Sequence, residues 1–160
     1  MTESTTMPST TPVSAVMTSE VVTLRPDQTV QEAADVLSDH HIGAAPVVDG
    51  DRLVGLLRDE DLIVSEARLH VPTVISFLNA ELVLPRAMHR WEADLRKAAG
   101  STVGDVMVTD FATIGPGDSV EELATLMHDR GLSHVPVVEG DRLVGIVARG
   151  DLVRFLAATT

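Results

Sequence analysis

The sequence predicts an α/β (α+β) fold of two β-α-β-β-α repeats packed sheet to sheet about a pseudo-twofold axis, with a helical segment inserted between them. Three observations predict it. The chain repeats itself at a fixed offset. Each copy carries a hydroxyl–glutamate pair ahead of an apolar stripe at helical spacing, and follows it with two β-branched runs around an acidic glycine turn. A shift of 90 residues lays Val16-Met17 on Val106-Met107 and runs without a gap to Leu62 and Leu152, with 19 of 47 positions identical. Pro46 to Gly55 matches Pro136 to Gly145 at nine of ten positions, which marks a duplicated structural unit.

The elements follow in order. Residues 1–12 are Ser/Thr-rich, without a basic start or an apolar stretch, and read as a disordered tail and not as a signal peptide. The first repeat spans 13–66 and the second 101–158. Val21 to Leu24, and Phe111 to Ile114, are short β-type runs that end at Arg25-Pro26 and Gly115-Pro116. Thr29 to Glu32 and Ser119 to Glu122 are capping boxes, in which the hydroxyl accepts from an orphan helix N–H and the Glu reaches back. Behind them Val30, Ala33, Ala34 and Leu37, and Val120, Leu123, Ala124 and Met127, recur at helical spacing. Pro46 to Val48 and Leu53 to Leu57 then flank Asp49-Gly50-Asp51, as Pro136 to Val138 and Leu143 to Val147 flank the second turn. A further helix starts near Asp59 and near Arg149.

Residues 67–100 have no counterpart within either repeat. Met88, Trp91, Leu95 and Ala98 form a helical stripe, Glu92 faces Arg96 at i+4, and Gly100 stops the helix. The stripe has to be buried within the chain or against a partner.

Composition narrows the function. The formal net charge is −12 and the aromatics are one Trp and three Phe, which argues against a nucleic-acid partner. The chain has no Cys, so a thiolate metal site, a Cys nucleophile and a disulfide framework are excluded. The longest apolar-leaning run, Val71 to Leu84, is broken by Pro72, Asn79 and Glu81 and falls short of the roughly 20 residues that span a bilayer. A cytoplasmic protein without membrane contact is the expectation. No Gly-x-Ser-x-Gly elbow, P-loop or Rossmann fingerprint is present, and the six His show no metal-ligand spacing, so no catalytic or metal-ligating residues are expected.

Val-Met at the start of each repeat, Pro-Val-Val-Asp or Pro-Val-Val-Glu, then Gly-aliphatic-aliphatic-x-x-x-Asp-Leu, together resemble the CBS domain. The tandem arrangement looks like a Bateman module. The resemblance covers about two thirds of the chain and rests on the duplicated set of motifs. It implies a regulatory, non-enzymatic module that binds AMP, ADP, ATP or S-adenosylmethionine in clefts between the repeats, with no required cofactor, and that forms homodimers. The alternative is a ligand-free structural or protein-interaction module acting through dimerisation.

The resemblance also implies site residues. The Asp that opens the last helix of each repeat, Asp61 and Asp151, would accept hydrogen bonds from ribose hydroxyls; a helix-capping role needs no ligand. Three residues earlier the family pattern has Ser or Thr for phosphate, and this chain departs from it with Arg58 and Ala148. Arg58 reads as a phosphate partner or as a salt-bridge partner of its acidic neighbours. His134 and Arg149 are the basic candidates at the second site. Val16, Val22, Ala45 and Pro46, with Ala112, Val135 and Pro136, are the adenine-slot candidates, and all also suit a plain apolar core.

Overall fold

The computed structural model describes residues 11–63 and 101–159. The tail before residue 11 and the Trp91 helix expected between the repeats lie outside the described residues. The elements are a 3-10 turn Val13–Ala15, α1 Val30–Asp39, β1 Ala44–Asp49, β2 Arg52–Arg58, α2 Val103–Val106, α3 Val120–Arg130, β3 His134–Glu139, β4 Arg142–Ala148 and α4 Arg149–Ala158. Residues 59–63 are also helical. This is the mixed α+β class that the sequence predicts.

The described chain divides into two compact units. One holds residues 11–22, 50–53 and 110–159. Its core is made where Val120, Leu123 and Met127, at helical spacing on α3, meet Val135, Val137 and Val147 of the β3–β4 hairpin. Leu123, Val135, Val137 and Val147 are fully buried, and each such side chain contributes about 1.5–3 kcal/mol. The hairpin is antiparallel, with His134 opposite Ala148 and Val137 opposite Gly145, and carries a bulge between Val137 and Val138. Its turn uses Gly140 at φ 61°, a left-handed backbone that suits glycine. Arg52 of β2 pairs with Arg142, and Leu53 N–H donates to Asp141 O at 2.9 Å.

This unit also takes in the segment that leads into the first repeat. Val13 is fully buried in its core. Thr18 and Ile146 exchange two backbone hydrogen bonds of 2.9 and 3.0 Å. The leader caps α3 as well, because Val120 N–H donates to Thr11 O at 2.8 Å. Met17 lies over Gly145, where a Cβ would come within 2.5 Å of the Met17 sulfur and 3.1 Å of Thr18 O. Glycine in that strand is therefore a packing requirement.

The other unit holds residues 23–49, 54–63 and 101–109 and repeats the plan. Its core contains Leu24, Ala33, Leu37, Val47, Leu57 and Leu62, together with Val103 from the segment that leads into the second repeat. Val103 N–H donates to Gln28 O at 2.8 Å, Leu56 and Val108 exchange bonds of 2.9 and 2.8 Å, and Met107 packs over Gly55. Each repeat thus completes its core with the other repeat's Val-Met leader.

Both capping boxes form as expected: Thr29 Oγ1 accepts from Glu32 N–H at 3.1 Å and Ser119 Oγ from Glu122 N–H at 3.1 Å. The short β-type runs come out smaller than expected. Only Ile114 bridges Val137, and only Leu24 bridges Val47, both in parallel. Prolines are the reason. In a parallel ladder the rung on one side of Ile114 needs the N–H of Pro136 and the rung on the other side needs that of Pro116, and neither has one. Pro46 and Pro26 cut the ladder around Leu24 in the same way.

The helix ends differ between the repeats. Gly131 closes α3 at φ 61°, whereas its counterpart His41 holds φ 52° with a side chain in place. His41→Gly should therefore raise stability by up to about 1 kcal/mol, the left-handed strain relieved less the added freedom of the unfolded chain, as read by urea unfolding. Gly145→Ala should cost about 1–3 kcal/mol in the same assay, and Met17→Ala in that background should recover part of it. The Asp105 carboxylate is held below the ordinary aspartate range, first by the Thr102 backbone N–H and then by the Thr102 hydroxyl. Its stabilising effect is present above the unfolded aspartate value and fades as pH falls through the lower folded one. Unfolding of Asp105→Asn and the parent chain should therefore differ above about pH 5 and converge as pH falls below the unfolded aspartate value of about 4.

Candidate functional site

In both repeats the last strand turns directly into a helix, and the predicted ribose Asp is the third residue of that helix. At the second repeat β4 ends on Ala148, whose extended backbone caps α4. Ala148 has no side-chain acceptor, so the reciprocal half of the cap does the positioning: Asp151 Oδ2 accepts from Ala148 N–H at 2.8 Å. Asp151 Oδ1 is met by Arg154, one turn along the helix. The Asp151 side chain is 17% exposed and that of Arg154 is 76% exposed, so the arginine sits on the solvent side of the pair.

Strand register brings the basic candidates to the same corner. His134 lies opposite Ala148 and is half-buried, and its Nδ1 is 3.0 Å from Ser133 Oγ. Arg149 N–H donates to Ser133 O at 2.8 Å, and the Arg149 guanidinium donates to Leu132 O at 3.0 Å. Arg149 therefore also ties the loop before β3 to the start of α4. Val135 and Pro136 follow on β3 and are fully buried, while Ala112 is half-buried. Val16 is half-buried against this core, and Val22 is half-buried in the segment grouped with the same unit.

The first-repeat corner has the same backbone and different side-chain chemistry. Asp59 N–H donates to Gly43 O at 2.9 Å, matching the Arg149 contact, and Asp61 Oδ2 accepts from Arg58 N–H at 3.0 Å. Here the capping residue carries its own cation. Arg58 Nε donates to Asp61 Oδ2 at 3.1 Å and Nη2 to Oδ1 at 3.0 Å, a two-pronged pairing, while Nη1 lies 2.8 Å from Glu60 Oε1. The Asp61 hydrogen bond, helped by the charges of Asp61, Glu60 and Asp59, raises the Arg58 pKa against the opposing effect of burial. Arg58 thus forms the salt bridge with its acidic neighbours. Ala45 and Pro46 are fully buried, and Ala45 belongs to the core.

Two participants were missed from sequence. Arg154 stands three residues after Asp151, a spacing that places the pair on one helix face and was there to be read. Ser133 carried no such signal, since its contact with His134 depends on the bend ahead of β3. Among the described residues no three His, Asp or Glu side chains form a group suited to a metal ion, and no helix is long and apolar enough to cross a membrane.

Comparison with known proteins gives this corner a context. The CBS domain family model matches residues 13–67 and 103–158. The CBS domain-containing protein YhcV of Bacillus subtilis is 33% identical over 136 residues, which is 85% of this chain and 79% of that protein. The CBS domain of a membrane protein from Sphaerobacter thermophilus has a crystal structure that is 34% identical, with a TM-score of 0.64 over 89% of this chain and 86% of its own. In fold the chain is also similar to CBSX2, solved in complex with AMP, at a TM-score of 0.71, 23% identity and coverage of 92% and 96%. Two family-model matches in the order and at the places of the internal repeat lead to one conclusion: the chain belongs to the CBS-domain family and carries the domain twice, as a tandem pair.

Proposed function

We propose that this chain is a regulatory module that binds an adenosine-type ligand at its strand-to-helix corners and responds by a change of conformation or assembly. The candidates are AMP, ADP, ATP and S-adenosylmethionine. The observation that carries the reading is the Asp151 carboxylate, anchored on one oxygen by the backbone and held on the other by an exposed arginine. With Arg154 on the solvent side, screening keeps the pairing weak, so a ribose diol can replace Arg154 at little cost. Arg149 supplies a cation and His134 an imidazole at the same corner, where Ala148 has no hydroxyl to offer. The AMP bound by CBSX2 supports the same chemistry. The module is proposed as a sensor, not a catalyst, and needs no cofactor.

The ligand-free alternative also has an observation behind it. Ile63 and Val153 occupy the same position of the two repeats and are 68% and 58% exposed. Aliphatic residues left in water at one repeated position favour cover by a second copy of the chain, so a homodimer is part of the proposal. The paired arginines on Asp61 and Asp151 suit a module whose corners serve only structure.

Thermal melts of the full chain with each candidate ligand separate the two. Each corner, with ligand at 100 times its Kd, should add about 2.7 kcal/mol, so Asp151→Ala should lose the second corner's share of the shift and keep only that of the first. Because Asp151→Ala also loses a cap worth about 0.5–2 kcal/mol, the comparison is between melts of the same variant with and without ligand. Light scattering of Ile63→Glu/Val153→Glu should give half the mass of the parent; an unchanged mass rules out that face as the dimer contact.

A further inference from the structure

Building on the reading that Asp61 and Asp151 meet a ribose, we infer that Arg58 is a built-in competitor at the first-repeat corner and restricts that corner to phosphorylated ligands. The Arg58 guanidinium takes both oxygens of Asp61, at 3.1 and 3.0 Å, while the backbone N–H of the same residue takes Oδ2 at 3.0 Å. The Asp61 side chain is 16% exposed and Arg58 37%, so the pairing is partly shielded from water. A cis-diol arrives with two hydroxyl donors and needs the oxygens that the arginine holds.

What the guanidinium gains in exchange decides which ligands succeed. A phosphate presents oxygens at the spacing that suits the same planar pair of N–H donors. A phosphorylated nucleoside therefore swaps partners without loss: Asp61 passes from Arg58 to the hydroxyls, and Arg58 from Asp61 to the phosphate. Adenosine offers the displaced cation no acceptor. S-adenosylmethionine sets its sulfonium cation where a 5′-phosphate would stand, with its carboxylate three carbons further out, and is disfavoured there by like charge. At the second corner this device is missing. Ala148 stands where Arg58 does, and the arginine on Asp151 comes from the helix side at 76% exposure. The two corners therefore differ in ligand class. The second takes adenosine compounds with or without phosphate, and the first only those with it.

The test uses the full chain with Asp151→Ala to silence the second corner, titrated by calorimetry with AMP and with adenosine. In that background AMP should bind at least about tenfold tighter than adenosine, a ratio set by charge-assisted hydrogen bonds kept or lost. Adding Arg58→Ala should tighten adenosine and weaken AMP until the preference disappears. Arg58→Lys keeps a charge without the two-pronged geometry and folds with less disturbance; it should tighten adenosine while keeping part of the AMP preference. A ratio that stays constant across the three chains overturns the inference and leaves the binding reading intact. So does parent-chain binding that Asp151→Ala abolishes for both ligands. No heat from either ligand with the parent chain overturns both.

Discussion

Everything in this molecule depends on the seat that each Val-Met leader finds in the core of the other repeat. Neither core is complete from its own sequence segment. The second-repeat core needs Val13 and Met17, and the first-repeat core needs Val103 and Met107. The seat is specific because three constraints meet there. Val13 or Val103, three residues ahead of the Val-Met pair, is fully buried, a pair of backbone hydrogen bonds holds the residue after the methionine, and the methionine lies where only a glycine leaves room. Duplication makes both seats alike, which is why Val-Met and Leu-Val-Gly persist in both copies while most helix-surface positions have drifted.

The same strand that receives the leader then delivers the candidate corner. Past Gly145 and Ile146 it ends at Ala148, the backbone caps the next helix, and the Asp three residues on is fixed by that cap. Asp61 and Asp151 therefore owe their positions to helix capping. A capping role and a binding role do not compete, since one carboxylate oxygen can satisfy the backbone while the other faces a ligand or an arginine. In the proposed reading, selection among ligands falls to residue 58 or 148, where one repeat has arginine and the other alanine.

Much of this was legible in the sequence because it lies in local patterns. The capping boxes, the helical stripes and the glycine turn each depend on residues close in the chain, and all three form as read. The salt bridge of Arg58 was legible for the same reason, with its acidic partners two and three residues away. What could not be read is the exchange of leaders. Val13 and Val103 look like the first residues of their own repeats, and nothing local says that their partners lie about 100 residues later or 75 residues earlier. The truncated β runs were legible in principle, because Pro26, Pro46, Pro116 and Pro136 are in plain view. Seeing their effect required knowing that the strands pair in parallel and in which register. The adenine-slot candidates illustrate the remaining limit: Ala45, Pro46, Val135 and Pro136 suit a binding slot and a core equally well by residue type, and all four are fully buried.

The central claim is that a backbone-anchored carboxylate at the strand-to-helix corner is where this chain meets its ligand. Carbon NMR of the aspartate carboxylates in the full chain, followed as AMP is added, addresses it at the atoms concerned. The account predicts that the Asp151 signal moves first and the Asp61 signal later, each along with its arginine partner. Saturating AMP that shifts neither carboxylate, while resonances elsewhere respond, would contradict it.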